Sequence, residues 1–139
     1  MQRLLVDSSV YISAFNPNDA FAHQSVDFFR ALDPQHVDFL LPRLVMIEVF
    51  NILHRHGVRD FRSLERLFTP IEPVDLDGEV QAVAFRILPD VRLKSADLVI
   101  VATAKLYEAE LITWDRQLIR QATRVVEART PSERINDGD

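Results

Sequence analysis

Cysteine is absent from the 139 residues, which removes disulfides, thiolate metal sites and cysteine nucleophiles together. The absence fits a reducing compartment, and the cytoplasm is the expected location. Glycine occurs only three times. None follows the first apolar run, where the turn reads Asp7-Ser8-Ser9, so the Gly-rich loop that cradles nucleotide phosphates is missing. No apolar run approaches a membrane span. The N-terminal Leu4-Leu5-Val6 is closed at once by Asp7 and is too short even for a secretory signal. Positive charge is scarce as well: the formal net charge is -5 and the pI about 5.3. That balance counts against a plain electrostatic nucleic-acid binder. It counts less against an enzyme whose acids gather at one site, because bound divalent cations reverse the local field.

What is present suits one ordered domain. Hydrophobic residues make up 47% and charged residues 27% of the chain, enough for a single core. No repeat or low-complexity block interrupts it. From Glu127 onward apolar content falls, so residues 1–127 are expected to form the domain and 128–139 a flexible C-terminal tail.

Short apolar runs alternate with helical patterns. Leu4 to Val6 reads as a buried strand, and Ser8 and Ser9 as caps of a helix reaching Phe15. A helix capped by Asp19 is expected to run to Leu32, followed by a strand over Val37 to Leu41. Pro42 suits the first turn of the next helix, which reaches His56 and stops at Gly57. Another helix covers Asp60 to Phe68, bounded by Pro70 and Pro73, and Ile71 to Val74 reads as a short strand. Asp75 or Asp77 then caps a helix ending before Pro89, with Val80, Val83, Ala84 and Ile87 on one face. Leu98 to Ala104 has strand-like β-branched residues, but its continuation favours a buried helix capped by Ser95. A strand at Leu111 to Thr113, a helix over Asp115 to Gln121 and a last strand at Val125-Val126 complete the pattern. The expected fold is α/β: three layers, with a mostly parallel central sheet and helices on both faces.

Ligands of such sheets gather beyond the carboxyl ends of the strands. Asp7 follows the first strand, Asp115 lies just past Thr113, Asp97 opens the buried helix, and Glu48 sits inside the apolar helix Leu44 to Phe50. Each has an ordinary structural alternative. Asp7 and Asp115 suit N-caps, Asp97 complements a helix dipole, and Glu48 with Asn51 and Arg55 fits a solvated stripe. Brought together, four acids would raise one another's proton affinity, and hard divalent cations with oxygen ligands relieve that repulsion.

The series Leu5-Val6-Asp7-Ser8-Ser9-Val10, Glu48 in an apolar helix, Ser95-Ala96-Asp97-Leu98-Val99-Ile100-Val101-Ala102-Thr103-Ala104 and Leu111-Ile112-Thr113-Trp114-Asp115-Arg116 resembles the PIN domain. It is most similar to the VapC-type toxins of prokaryotic toxin–antitoxin pairs. The resemblance spans nearly the whole chain. It implies that Asp7, Glu48, Asp97 and Asp115 are the acidic quartet, with Ser9 and Thr113 as supporting hydroxyls. It further implies one or two Mg²⁺ or Mn²⁺ ions and endonucleolytic hydrolysis of RNA to a 5′-phosphate and a 3′-hydroxyl. Asp7 and Asp97 are then the first choice for direct ligands. For Glu48 and Asp115, direct ligation, ligation through water and orientation of the nucleophile stay open. A small antitoxin and a homodimer are the partners the family suggests. The alternative from another class is a non-catalytic PIN-like scaffold that binds RNA or protein without cutting.

Arg43, Lys94 and Arg116 flank the expected rim and are candidate RNA phosphate contacts, against the reading of solvated surface charge. The basic stretch His54 to Arg62 either extends an RNA track or suits a helix C-terminus, the latter being favoured. Trp114 either stacks on a base or packs against the following helix, with packing favoured. Most of the phenylalanines serve the core. A surplus near the early helices, among Phe15, Phe21, Phe28 and Phe29, is available to a second copy or an antitoxin. An aspartyl-nucleophile phosphatase is disfavoured, because the second acid it wants two residues after Asp7 is Ser9.

Overall fold

The most apolar run becomes the middle of the sheet. In the computed structural model, which describes residues 1–69 and 71–136, β1 (Gln2–Val6) buries Leu4, Leu5 and Val6 almost completely. A strand with no polar face must be covered on both sides. The other elements supply that cover: α1 (Ser8–Phe15), α2 (Ala22–Ala31), β2 (Val37–Pro42), α3 (Arg43–Arg55), α4 (Phe61–Phe68), β3 (Pro73–Val74), α5 (Gly78–Ile87), α6 (Ser95–Leu106), β4 (Glu110–Ile112), α7 (Arg116–Ala122), β5 (Ala128–Arg129) and α8 (Pro131–Asn136). A 3-10 turn at Leu88–Asp90 follows α5.

The five strands lie in the order β3-β2-β1-β4-β5, and every pair is parallel. From β1 the chain moves outward through β2 to β3, then returns across the sheet to β4 on the other side of β1. That reversal opens a crevice at the carboxyl ends of β1 and β4. Opposite directions of travel with right-handed crossovers place the two helix groups on opposite faces. Among the described residues no helix is long and apolar enough to cross a membrane.

Local signals explain several boundaries. Gly57 takes a left-handed φ of 91°, donating to His54 O at 3.0 Å while Val58 donates to Leu53 O at 2.9 Å. This pair of bonds closes α3 as a Schellman motif. Arg59 also caps the end, donating to the His54 carbonyl at 2.9 Å, so part of the basic stretch serves the helix terminus. Asp60 caps α4 through Ser63 N, and Asp77, not Asp75, caps α5. The expected buried face Val80, Val83, Ala84 and Ile87 is the one observed. Leu98 to Ala104 is helical within α6. Pro70, expected to bound α4, lies outside the described residues.

Other boundaries differ. Asp19 does not start α2. Its carboxylate accepts from Phe21 N and Ser13 Oγ, and the helix begins at Ala22. Ser8 and Ser95 are the first helical residues of α1 and α6, not caps. The last strand is Ala128–Arg129, because Val125 N and Val126 N both bond to Ala122 O and are held in the turn closing α7. The flexible tail expected from residue 128 is instead β5 and α8 up to Asn136. Thr130 and Glu133 form a reciprocal capping box at 3.1 Å each way, with Pro131 in the first helical turn. The buried Arg134 meets Glu110 at 3.4 Å and also bonds Gln2. Residues 137–139 lie outside the described residues.

Candidate active site at the carboxyl end of the central strand

Asp7 is the first residue past β1. Its backbone N–H continues the ladder by donating to Ile112 O at 2.9 Å, which fixes it against the end of β4. The residue stands in the N-cap position of α1, yet its carboxylate makes no capping bond. It is 7% exposed. Its hydrogen bond among the described residues comes from Thr113 Oγ1 to Oδ2 at 2.8 Å.

Thr113 and Ser9 form the support. Thr113 is fully buried. With its proton on Asp7, its oxygen accepts from Asp115 N at 3.1 Å. It also accepts from Ser9 Oγ at 3.2 Å, since a hydroxyl has one proton and two lone pairs. Ser9 in turn accepts from Trp114 N at 3.1 Å. Every donor and acceptor of the Thr113 hydroxyl is thereby used, and α1 is tied to the β4–α7 turn. Trp114 is anchored at its far end too: Nε1 donates to the buried Ser25 Oγ at 2.8 Å, and Phe21 stacks on the indole at 4.3 Å. The expectation that Trp114 packs is met, with Ser25 of α2 and Phe21 among its partners.

The other three acids reach the same crevice from different elements. Glu48 lies in α3 beside the buried stripe Val45, Val49 and Leu53. Its carboxyl is pushed up to about 7 by desolvation and by the negative charges of Asp7 and Asp97. Asp97, in the first turn of α6, is raised by desolvation and by Asp7 and Asp115, with Lys94 opposing. Asp97 feels Asp7 and Asp115, while Glu48 feels Asp7 and Asp97. Each of these two acids is thus raised in part by the charge of other acids brought to the same crevice. Asp115 is exposed, and its Oδ1 caps α7 by accepting from Gln117 N at 3.0 Å and Leu118 N at 3.1 Å. For Asp115 the capping role and a place in the acidic group coexist.

Among the described residues no three acidic or imidazole side chains enclose an ion as they stand. The acids are near enough to feel one another's charge but farther apart than a closed ligand shell. Like charges favour that spacing, and a shared counter-ion favours a shorter one. The donor set fits Mg²⁺ or Mn²⁺: it is all oxygen, it is partly desolvated, and a magnesium ion ordinarily keeps several waters.

The candidate cations are scattered around the rim. Lys94 lines a cavity of about 350 Å³ together with Asp97 and Asp115. Arg43 is paired with Asp75 at 2.5 Å, and Arg116 lies close enough to Glu133 to help hold its carboxyl low. The same cavity contains Arg92 and Arg120, which the sequence did not single out. Arg92 lay in the same loop as Lys94, and Arg120 four residues beyond Arg116 in α7. Spacing from an acid was the only signal available.

A family model described as "PIN domain" matches residues 4–124 of this chain. No curated protein matches by sequence. Solved structures do match in fold. A toxin–antitoxin complex from Klebsiella pneumoniae aligns with TM-score 0.73 and 18% identity over 92% of this chain and 97% of the other. Mycobacterium tuberculosis VapC20, described as a sarcin-ricin loop cleaving toxin, aligns with TM-score 0.71 and 19% identity over 91% and 98%. FitAcB from Neisseria gonorrhoeae aligns with TM-score 0.69 and 18% identity over 93% and 98%. At these identities the likeness is one of fold.

Proposed function

The chain belongs to the PIN domain family, and from that premise we propose that it is a Mg²⁺- or Mn²⁺-dependent endoribonuclease. The reading is carried by the electrostatic coupling of acids from four separate elements. Glu48 and Asp97 are both driven up, in part by Asp7, a convergence that independent caps and solvated stripes would not produce.

In this reading Asp7 and Asp97 hold the cation directly, and Asp115 contributes the oxygen not engaged in capping α7. A bound divalent ion supplies a water of lowered pKa and neutralises charge developing on the phosphate. Thr113 keeps Asp7 in one orientation, and Ser9 keeps Thr113 in its own. Glu48 takes a proton from the attacking water, a role suited to a carboxyl near neutrality. The water oxygen bonds to phosphorus, the bond to the 3′-oxygen breaks, and a proton returns to that oxygen. The products are a 5′-phosphate and a 3′-hydroxyl. Residues 1–127 contain all four acids, and β5 and α8 brace the β4 edge of the fold.

We further assign the chain as the toxin of a toxin–antitoxin pair acting in the cytoplasm, as a homodimer. One of the solved structures above supports an antitoxin partner, since its description names a toxin–antitoxin complex. An open apolar groove of about 450 Å³ along α1, α2 and β2, lined by Tyr11, Phe15, Phe29 and Phe39, is suited to receive its apolar segment. Phe28, by contrast, is fully buried in the core.

Purified full-length chain incubated with total RNA tests the reading. Cleavage is expected with Mg²⁺ or Mn²⁺ and not with EDTA, and Asp7→Asn or Asp97→Asn should abolish it while the circular dichroism spectrum is unchanged. Wild-type protein that binds RNA without cutting it in any divalent ion would favour the non-catalytic scaffold.

A further inference from the structure

The acidic crevice does not end at the acids. The cavity that Asp97 and Asp115 enter continues along Arg92, Lys94, Gln117 and Arg120. Carboxylates and cations therefore line a single space of about 350 Å³. Among the described residues none of the three cations has a carboxylate within 4.0 Å. A chain of net charge -5 has acids to spare, yet none closes an ion pair with these three, and only Lys94 is near enough to Asp97 to oppose its rise.

The wall is also held in place. Arg92 donates its backbone N–H to Gln121 Oε1 at 2.9 Å, and Arg124 Nη1 reaches the Asp90 carbonyl at 3.4 Å. The 3-10 turn and the loop after it are thus tied to Gln121 of α7, the helix that Asp115 caps and that carries Arg120, and to Arg124 just beyond its end. Acids and cations held in one cavity are what a polyanion needs when one phosphate is to react and its neighbour is to be gripped.

We propose that this cleft is a backbone-phosphate subsite for single-stranded RNA. Arg92 and Arg120, with Lys94, grip the phosphodiester next to the one that reacts between Asp7, Asp97 and Asp115. The subsite rests on the nuclease reading for its orientation but not for its existence. It positions the strand by charge and carries no base preference, because phosphate contacts hold no sequence information. Gln117, which lines the same cavity, adds a neutral donor.

Binding of a fluorescein-labelled single-stranded RNA oligonucleotide, read by anisotropy across a KCl series in Mg²⁺, tests the proposal. The protein is the full chain carrying Asp7→Asn, which the nuclease reading makes silent. Adding Arg92→Ala and Arg120→Ala should raise Kd about tenfold and lower the slope of log K against log salt by about 1.4, as for two lost phosphate contacts on a single strand. A charge-matched control, Arg62→Ala with Arg66→Ala on α4 toward the opposite sheet edge, should change Kd less than twofold. Arg92→Gln with Arg120→Gln keeps the side-chain stems and guards against a folding defect. Unchanged binding in the cleft variants, or equal loss in the control, would overturn the subsite. Either result leaves cleavage by the wild-type chain untouched as a separate readout, so the subsite and the nuclease reading fail independently.

Discussion

Replacing Glu48 by Gln removes a carboxyl that the structure holds near neutrality, and the size of the effect follows from its surroundings. The rise from the ordinary 4.5 to about 7 corresponds to about 3 kcal/mol at ~1.36 kcal/mol per pH unit. Glu48 is only half-buried, so solvent screening reduces this to roughly 1–2 kcal/mol. The sign follows from proton binding. The folded state holds the Glu48 proton more tightly than the unfolded chain does, so the Glu48 contribution to stability falls as pH rises from about 4.5 through about 7. In EDTA the wild-type chain should therefore melt lower at pH 8.5 than Glu48→Gln does, by about 3–8 °C for a domain of this size. At pH 5, where Glu48 is mostly protonated, the two should nearly coincide. Mg²⁺ should raise the wild-type melting temperature at pH 8.5 more than that of the variant, because a ligand of the folded state stabilises by mass action. Thermal melts by circular dichroism at the two pH values, with and without Mg²⁺, provide the assay. Equal melting temperatures at pH 8.5 would refute the claim that Glu48 is held against the charge of Asp7 and Asp97.

Thr113→Val deletes a hydroxyl that serves three partners and should cost about 1–3 kcal/mol in chemical denaturation, with a fall in kcat, whereas Thr113→Ser should retain most of both. Arg134→Ala removes a buried cation from Glu110. Since Arg129 also pairs with Glu110 at 3.0 Å, the expected loss is about 2 kcal/mol by urea titration, below that of an acid left wholly unpaired. A variant that unfolds with unchanged midpoint would return residues 130–136 to the status of a loose appendage.

The sheet was legible because its strands are short apolar runs with acids or turns at their ends. Leu4-Leu5-Val6 and Leu111-Ile112 admit no exposed face, and Asp7 and Thr113 mark where those runs stop. The helix ends were less legible where no glycine announced them. α6 closes with Glu108 at a left-handed φ of 54°, with Ala109 donating to Ala104 O at 2.9 Å; nothing in a glutamate signals that conformation. The ordered C-terminus was missed for a different reason. Thr130-Pro131-Ser132-Glu133 carries a capping box, but the low apolar content around it outweighed that signal, and the buried ion pair of Arg134 with Glu110 is a contact across the fold that no local pattern contains.

The acids were legible as strand-end and helix-start residues, each with an ordinary alternative. Three-dimensional packing separates the alternatives in ways that spacing cannot. Asp7 stands at a helix N-terminus without capping it, Asp115 caps a helix and still helps to raise Asp97, and Glu48 is lifted by the charges of Asp7 and Asp97. The cationic cleft was hidden because Arg92 and Arg120 are far apart in sequence and look like ordinary surface charge until the 91–94 loop is tied to α7. The role expected of Arg43 depends on a side chain that Asp75 engages.

The central claim is that carboxylate oxygens of Asp7, Asp97 and Asp115 share a cation beside Glu48. Crystals of the full chain soaked in Mn²⁺ and measured at the manganese absorption edge test it directly. The account expects an anomalous peak bonded to carboxylate oxygens of Asp7 and Asp97, lost in crystals of Asp7→Asn. Manganese bound only at other acidic surfaces, or a peak that persists unchanged without the Asp7 carboxylate, would contradict it.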